Sequence, residues 1–311
     1  MEFIELISGL IILLIGGEFI VKGAVLVANK FHISPMVIGL TIVSFGTSAP
    51  ELLVSIKAAT EGNPDIAVGN VVGSNIANLA LVLGITVLFI PIVIDRSKIM
   101  INWSVMMLAT IIFYLFSING WIENWEGIAL FSALIVFIYF LIKTSKNTLS
   151  DNLECDLKKE SNSNPLLIII YMTLGALGLY FGAELLVEGA VSIAYKMGMS
   201  EAVIGVTVVA LGTSAPELTA SIVAAYRKES GISLGNLIGS NIFNLMAVIG
   251  ITGMVKPISI APKIMAFDIY WLLGVSLLIF PVVFFSSRIG RVKGFLLLSF
   301  YVVYITLVLN H

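Results

Sequence analysis

GTSAPELLVSIKAA, residues 46–59, recurs as GTSAPELTASIVAA, residues 212–225. The spacing between the copies governs the fold. Sliding the chain by 166 positions aligns residues 16–94 with 182–260 without a gap, and about 41 of those 79 positions are identical. A biased composition gives roughly one match in ten by chance, so the two halves derive from one duplicated unit. Hydrophobic residues make up 59% of the 311, charged residues only 12%, and mean hydropathy is +1.06. A soluble domain carries roughly 25% charged residues. Lipid, not water, must therefore be the main solvent of this chain.

At roughly 20 to 25 residues per crossing, the apolar stretches predict spans near 4–28, 36–61, 66–90, 99–118, 125–143, 165–196, 202–226, 231–255, 264–286 and 291–309. The start, MEFIELISGLIILLIGG, places Glu2 and Glu5 where a secretion signal would carry basic residues, so it reads as the first span. One polar stretch, residues 143–164, is too hydrophilic to insert. It divides the chain into a first five-helix repeat, 1–142, a linker, 143–164, and a second five-helix repeat, 165–311. Because five spans, an odd number, separate equivalent positions, the second copy enters the membrane from the opposite side. The expected fold class is thus an all-α polytopic membrane protein with ten transmembrane helices as two inverted five-helix repeats. Such repeats place a binding site near the bilayer midplane at their interface. With both termini extracellular, twelve Lys and Arg fall on the inside and four on the outside, leaving out Lys22 within a span. The positive-inside rule then makes the 143–164 linker cytoplasmic and the protein a multi-pass one of the cell membrane.

A single cysteine, Cys155, and two histidines, His32 and His311, exclude a disulfide, a zinc site or haem ligation within one chain. No nucleophile–base pair stands out, so an enzyme is not expected. A net charge of −2 gives no reason to expect nucleic acid. The expected partners are the lipid bilayer and small cations, with no protein partner and no prosthetic group implied.

The repeated segments carry the chemistry. Pro50 and Pro216 lack an amide hydrogen and crowd the preceding turn, so carbonyls around Gly46 and Thr47, and around Gly212 and Thr213, lose their helical partners. Thr47 and Ser48 precede Glu51 by four and three residues and share its helix face; Thr213, Ser214 and Glu217 repeat this. In the next span of each half, Asn70, Ser74 and Asn78, and likewise Asn236, Ser240 and Asn244, form a polar stripe of oxygen donors. Gly69 with Gly73, and Gly235 with Gly239, suit close helix packing. A charge at a helix centre costs about 2.5 to 3.5 kcal/mol on insertion scales, so Glu51 and Glu217 need a counter-charge, and Lys57 and Arg227 lie towards span ends. Carboxylate, hydroxyl, amide and carbonyl oxygens make a hard shell suited to Ca2+ or Na+. Two negative charges balance one Ca2+ or at least two Na+, so an exchange of the two ions follows. The expectation is that Glu51 and Glu217 meet at the midplane. Glu18 and Lys22, four apart, can neutralise each other, whereas their counterparts Glu184 and Glu188 cannot; this group is a candidate access route.

At GTSAPEL followed by GNVVGSNIAN, and its second copy with GNLIGSNIFN, the chain resembles the Ca2+/cation antiporter superfamily, specifically the sodium/calcium exchangers and their prokaryotic relatives. The resemblance implies secondary active exchange of Na+ for Ca2+ by alternating access, electrogenic, with the first and sixth spans sliding against the other eight. Its cation ligands carry over onto Ser44 (carbonyl), Thr47, Ser48, Glu51, Ser74 and Asn78, and onto Ala210 (carbonyl), Thr213, Ser214, Glu217, Ser240 and Asn244. K+-dependent members have Asp at the position of Asn244, and proton-coupled ones a differently spaced core, so neither K+ nor H+ coupling is the first reading. The rivals are an H+- or K+-coupled divalent cation antiporter and, from another class, a passive cation channel.

Overall fold

The computed structural model describes residues 2–150, 164–198, 210–285 and 287–310, without the side chains of 146–150, 210 and 211. The helices in chain order are α1 (Glu2–Phe31), α2 (Pro35–Thr47), α3 (Ala49–Thr60), α4 (Pro64–Phe89), α5 (Arg96–Ser117), α6 (Asn124–Ser150) and α7 (Pro165–Lys196). They continue as α8 (Ala210–Thr213), α9 (Ala215–Tyr226), α10 (Ser230–Val255), α11 (Ile264–Phe284) and α12 (Arg291–Asn310). Eight helices among the described residues are long and apolar enough to cross a membrane, or nine with the bent pair α2 and α3 counted as one span. The first part of the expected span 202–226 falls outside the described residues; the remainder is α8 and α9. Helix α6 continues to Ser150, past the expected boundary at 143, since KTSKNTLS holds neither the glycine nor the proline that would break a helix. Cys155 and His311 also lie outside the described residues.

Two short strand pairs supplement the helices. β1 (Ile92–Val93) pairs antiparallel with β4 (Arg288–Ile289), and β2 (Trp121–Ile122) with β3 (Ile258–Ser259). Two-residue strands are too short to show an alternating pattern, which is why an all-α reading overlooked them.

The chain divides into two compact units, Met1–Thr47 with Phe137–Leu237 and Ser48–Val136 with Ile238–His311, so each unit draws on both sequence halves. In the first unit, α1 runs antiparallel to α7 on a seam of glycines. A Cβ on Gly9 would stand 2.5 Å from Leu186 N, one on Gly16 2.6 Å from Leu179 N, and one on Gly175 2.6 Å from Ile20 N. Only glycine lets the two backbones approach this closely. Glu2 and Lys196 close the end of the seam at 2.8 Å. The start of α10 is held to α2 in the same way, since a Cβ on Gly235 would meet Met36 O at 2.5 Å.

In the second unit α3 packs on α4 and on the 244–255 part of α10, α5 on α11, and α12 on the end of α4. Trp103 Nε1 donates to Ser276 O at 2.8 Å, and Asn124 Nδ2 to Gly253 O at 2.9 Å. Wide π-helical turns interrupt α2 at Gly39–Val43, α4 at Ala77–Val82, α10 at Asn244–Val248 and α11 at Ile264–Asp268. Such turns often mark functional positions, and three of the four adjoin or contain an expected ligand: Ser44, Asn78 or Asn244.

Candidate functional site

The helical path breaks where the prolines predict. Ser48 has φ −91°, ψ 5° between α2 and α3, and Ser214 has φ −89°, ψ 3° between α8 and α9; each proline then sits in the first turn of the new helix. A proline there loses no bond of its own helix, while its ring prevents the preceding one from continuing. Glu51 and Glu217 stand in the first turns of α3 and α9, where the helix N-terminus favours a negative charge. Both side chains are fully buried.

The second unit holds six of the twelve expected ligands: Ser48 before α3 and Glu51 on it, Ser74 and Asn78 on α4, Ser240 and Asn244 on α10. These helices pack on one another, and all six residues are buried. Neither amide atom of Asn78 or of Asn244 has a hydrogen-bond partner among the described residues. Leaving a buried polar atom unmade costs about 1 to 3 kcal/mol, so two whole amide groups left so, at symmetry-equivalent positions, suit polar cargo rather than packing. Asn70, of the same stripe, is different. Its Nδ2 donates to Glu51 O at 3.3 Å and to Ser55 Oγ at 3.1 Å, so its amide nitrogen binds α4 to the helix of the acid.

In the first unit are Ser44 and Thr47 on α2, Ala210 and Thr213 on α8, Ser214 before α9, and Glu217 on it. Asn236 joins them. Its Nδ2 donates to Glu217 O at 3.3 Å and to Ser221 Oγ at 3.1 Å; its Oδ1 accepts from Thr47 Oγ1 at 3.0 Å; its carbonyl accepts from Ser44 Oγ at 3.1 Å. The expected oxygen donors Asn70 and Asn236 are therefore clasps, and the sequence carried the signal: in both copies an Asn follows the Glu by nineteen residues and a Ser by four. Ser214 Oγ has no partner among the described residues. Glu18 and Lys22 are paired at 3.1 Å as their spacing predicts, but Glu18 is also paired with Arg227, which the sequence reading set aside as a span-end residue.

The fold, with a buried acid in each unit and buried polar side chains on neighbouring helices, defines a polytopic helical membrane protein. Comparison with known proteins narrows this. The sodium/calcium exchanger protein family matches residues 2–143 and 167–310. The sodium/calcium exchanger MaX1 of Methanosarcina acetivorans is 30% identical over 98% of this chain and 97% of that protein. The inner membrane protein YrbG of Escherichia coli is 30% identical over 97% and 95%. Among solved structures, the sodium-calcium exchanger NCX_Mj superposes with a TM-score of 0.85 at 32% identity, covering 98% of each chain. The chain belongs to the sodium/calcium exchanger protein family, as its repeated motif implied.

Proposed function

We propose that this protein is a Na+/Ca2+ antiporter working by alternating access, with Glu51 and Glu217 together supplying the charge that holds one Ca2+. The observation that carries the reading is the pair of buried, unpartnered amides of Asn78 and Asn244 in the unit that holds Glu51. Ser44 and Ala210 contribute carbonyls, and Thr47, Ser48, Ser74, Thr213, Ser214, Ser240, Asn78 and Asn244 contribute side-chain oxygens, to Ca2+ or to Na+ ions that use the same two acids. Binding is then mutually exclusive and the two gradients are coupled. An excess of sodium charge over calcium charge makes the exchange electrogenic.

The remaining architecture follows the duplication. Ten spans form two inverted five-helix repeats, 1–142 and 165–311. The 143–164 linker is cytoplasmic and both termini are extracellular in the cell membrane, as the twelve-to-four distribution of Lys and Arg supports. Neutral Asn244 favours Na+ over K+ as the coupling ion. The test is Ca2+ uptake into proteoliposomes loaded with Na+, set against K+-loaded and Na+-equilibrated vesicles. Uptake only with an outward Na+ gradient is expected; equal uptake in all three identifies a passive channel and ends the proposal.

A further inference from the structure

Helix α1 meets its two neighbours in the first unit in different ways. Against α7 it lies on Gly9 and Gly16, backbone on backbone. Against α9 the seat is Gly17, where a Cβ would come within 2.9 Å of the Thr219 methyl. Beside that seat is a charged clasp. Arg227 Nε donates to Glu18 Oε2 at 2.9 Å, Arg227 Nη2 pairs with Glu18 Oε1, and Lys22 Nζ stands 3.1 Å from the same Oε1. A two-pronged guanidinium–carboxylate pair is among the stronger and most directional polar contacts. The Glu18 side chain is only 27% exposed, which limits screening by water.

The clasp is anchored in regular structure at both ends. Glu18 lies within the 30-residue α1. Arg227 caps α9, and the turn beyond it is fixed by Glu229 N donating to Ala224 O at 2.8 Å. Thr219, Val223 and Arg227 follow one another at intervals of four, one stripe of the helix that carries Glu217. Shifting by 166 positions turns Glu18 into Glu184, Lys22 into Glu188 and Arg227 into Glu61. Three acids cannot clasp one another. The duplicated chain therefore wrote this contact into one copy only.

We propose that Glu18 and Arg227 are positioning residues that clasp α1 to α9 and so hold the Glu217 helix in the arrangement seen here, against the alternative arrangement that the transport cycle must visit. Lys22 adds a second cation to the shared carboxylate. A carrier built from two like halves is thereby biased towards one of its two access states. The proposal rests on the antiport reading for its consequence on transport, though not for the clasp itself.

The test compares Glu18→Gln, Arg227→Gln and the charge-exchanged double variant Glu18→Arg with Arg227→Glu. Two quantities are measured: amide hydrogen exchange over residues 219–228, and Na+-driven Ca2+ uptake at saturating ions. Each single variant is expected to speed exchange in that segment by about fivefold and to alter the uptake rate by a similar factor. The double variant is expected to return both towards the native values. Single variants that match the native protein in both measurements, or a double variant no closer to native than the singles, overturn the proposal. If Arg227→Gln fails to fold, Arg227→Lys keeps the charge without the fork; intermediate protection supports the clasp and native protection overturns it. Native protein that shows no Na+-driven uptake would remove the antiport reading, while the hydrogen-exchange comparison would still decide the clasp.

Discussion

The asparagine clasps beside Glu51 and Glu217 match in partners and distances, and the residues at their helix ends do not. Asn70 reaches Glu51 O and Ser55 Oγ at 3.3 and 3.1 Å, and Asn236 reaches Glu217 O and Ser221 Oγ at the same two distances. Ten residues beyond each acid the copies diverge. α3 is followed by Glu61, Gly62 and Asn63, α9 by Arg227, Lys228 and Glu229. Both ends close with the same bond, Asn63 N to Ala58 O and Glu229 N to Ala224 O, each 2.8 Å. Yet the left-handed residue is Gly62 at φ 89° in one and Lys228 at φ 64° in the other. The asparagine clasp beside each acid was kept in both copies, whereas the helix ends were free to differentiate.

The severest test of that likeness is to neutralise each acid. Glu51→Gln and Glu217→Gln should each lower Na+-driven Ca2+ uptake by at least about a hundredfold, since on the proposed reading either removes one of two charges facing a divalent ion. Both variants should keep the native melting transition in detergent. Substantial uptake in one variant alone would show that the copies are not equivalent.

Next come the clasping asparagines. Asn70→Ala abandons two hydrogen bonds and Asn236→Ala three, at about 1 kcal/mol apiece. Asn236 is fully buried and also holds Thr47, whereas Asn70 is half-buried, so thermal unfolding should show the larger loss for Asn236→Ala. Equal losses would mean that the Thr47 bond contributes nothing.

Copying a residue across the duplication sharpens the contrast at the helix ends. Lys228→Gly should stabilise by about 0.5 to 1 kcal/mol, because a left-handed backbone strains a residue with a Cβ and not glycine. A lowered melting temperature would contradict this. Glu229→Asn installs the residue of the first copy and should have the smallest effect. Burial raises the Glu229 carboxyl above its ordinary range. A raised folded-state value means stability present below the unfolded pKa, about 4.3, and lost as pH rises through the folded one. The variant should therefore melt slightly higher than the native protein at about pH 8 and no higher at about pH 4; a gain confined to acid would reverse the sign.

Much of the site was legible before any coordinates. Pro50 and Pro216 announced the breaks at Ser48 and Ser214, because a missing amide hydrogen and a crowding ring act locally. Glu51, Glu217, Asn78 and Asn244 stood out because polar groups in an apolar span need a reason. The donor bonds of Asn70 and Asn236 were not legible, since an amide side chain offers both a donor and an acceptor and spacing does not say which end meets which partner. The π-helical turns were not legible either: GLTIV, ANLALV, NLMAV and IMAFD mix apolar residues with single polar ones, as the flanking helical turns do.

The sequence by itself determined the solvent, the duplication and the chemical character of the cargo, because hydropathy, repeat spacing and donor type are properties of the chain that no folding step alters. Tertiary structure alone decided which α9 end residue answers Glu18 and which atoms of Asn78 and Asn244 stay without partners. It also decided how the two halves share themselves between the compact units. Those outcomes depend on which helix faces come to lie together, and residues 209 positions apart, such as Glu18 and Arg227, carry no local mark of meeting.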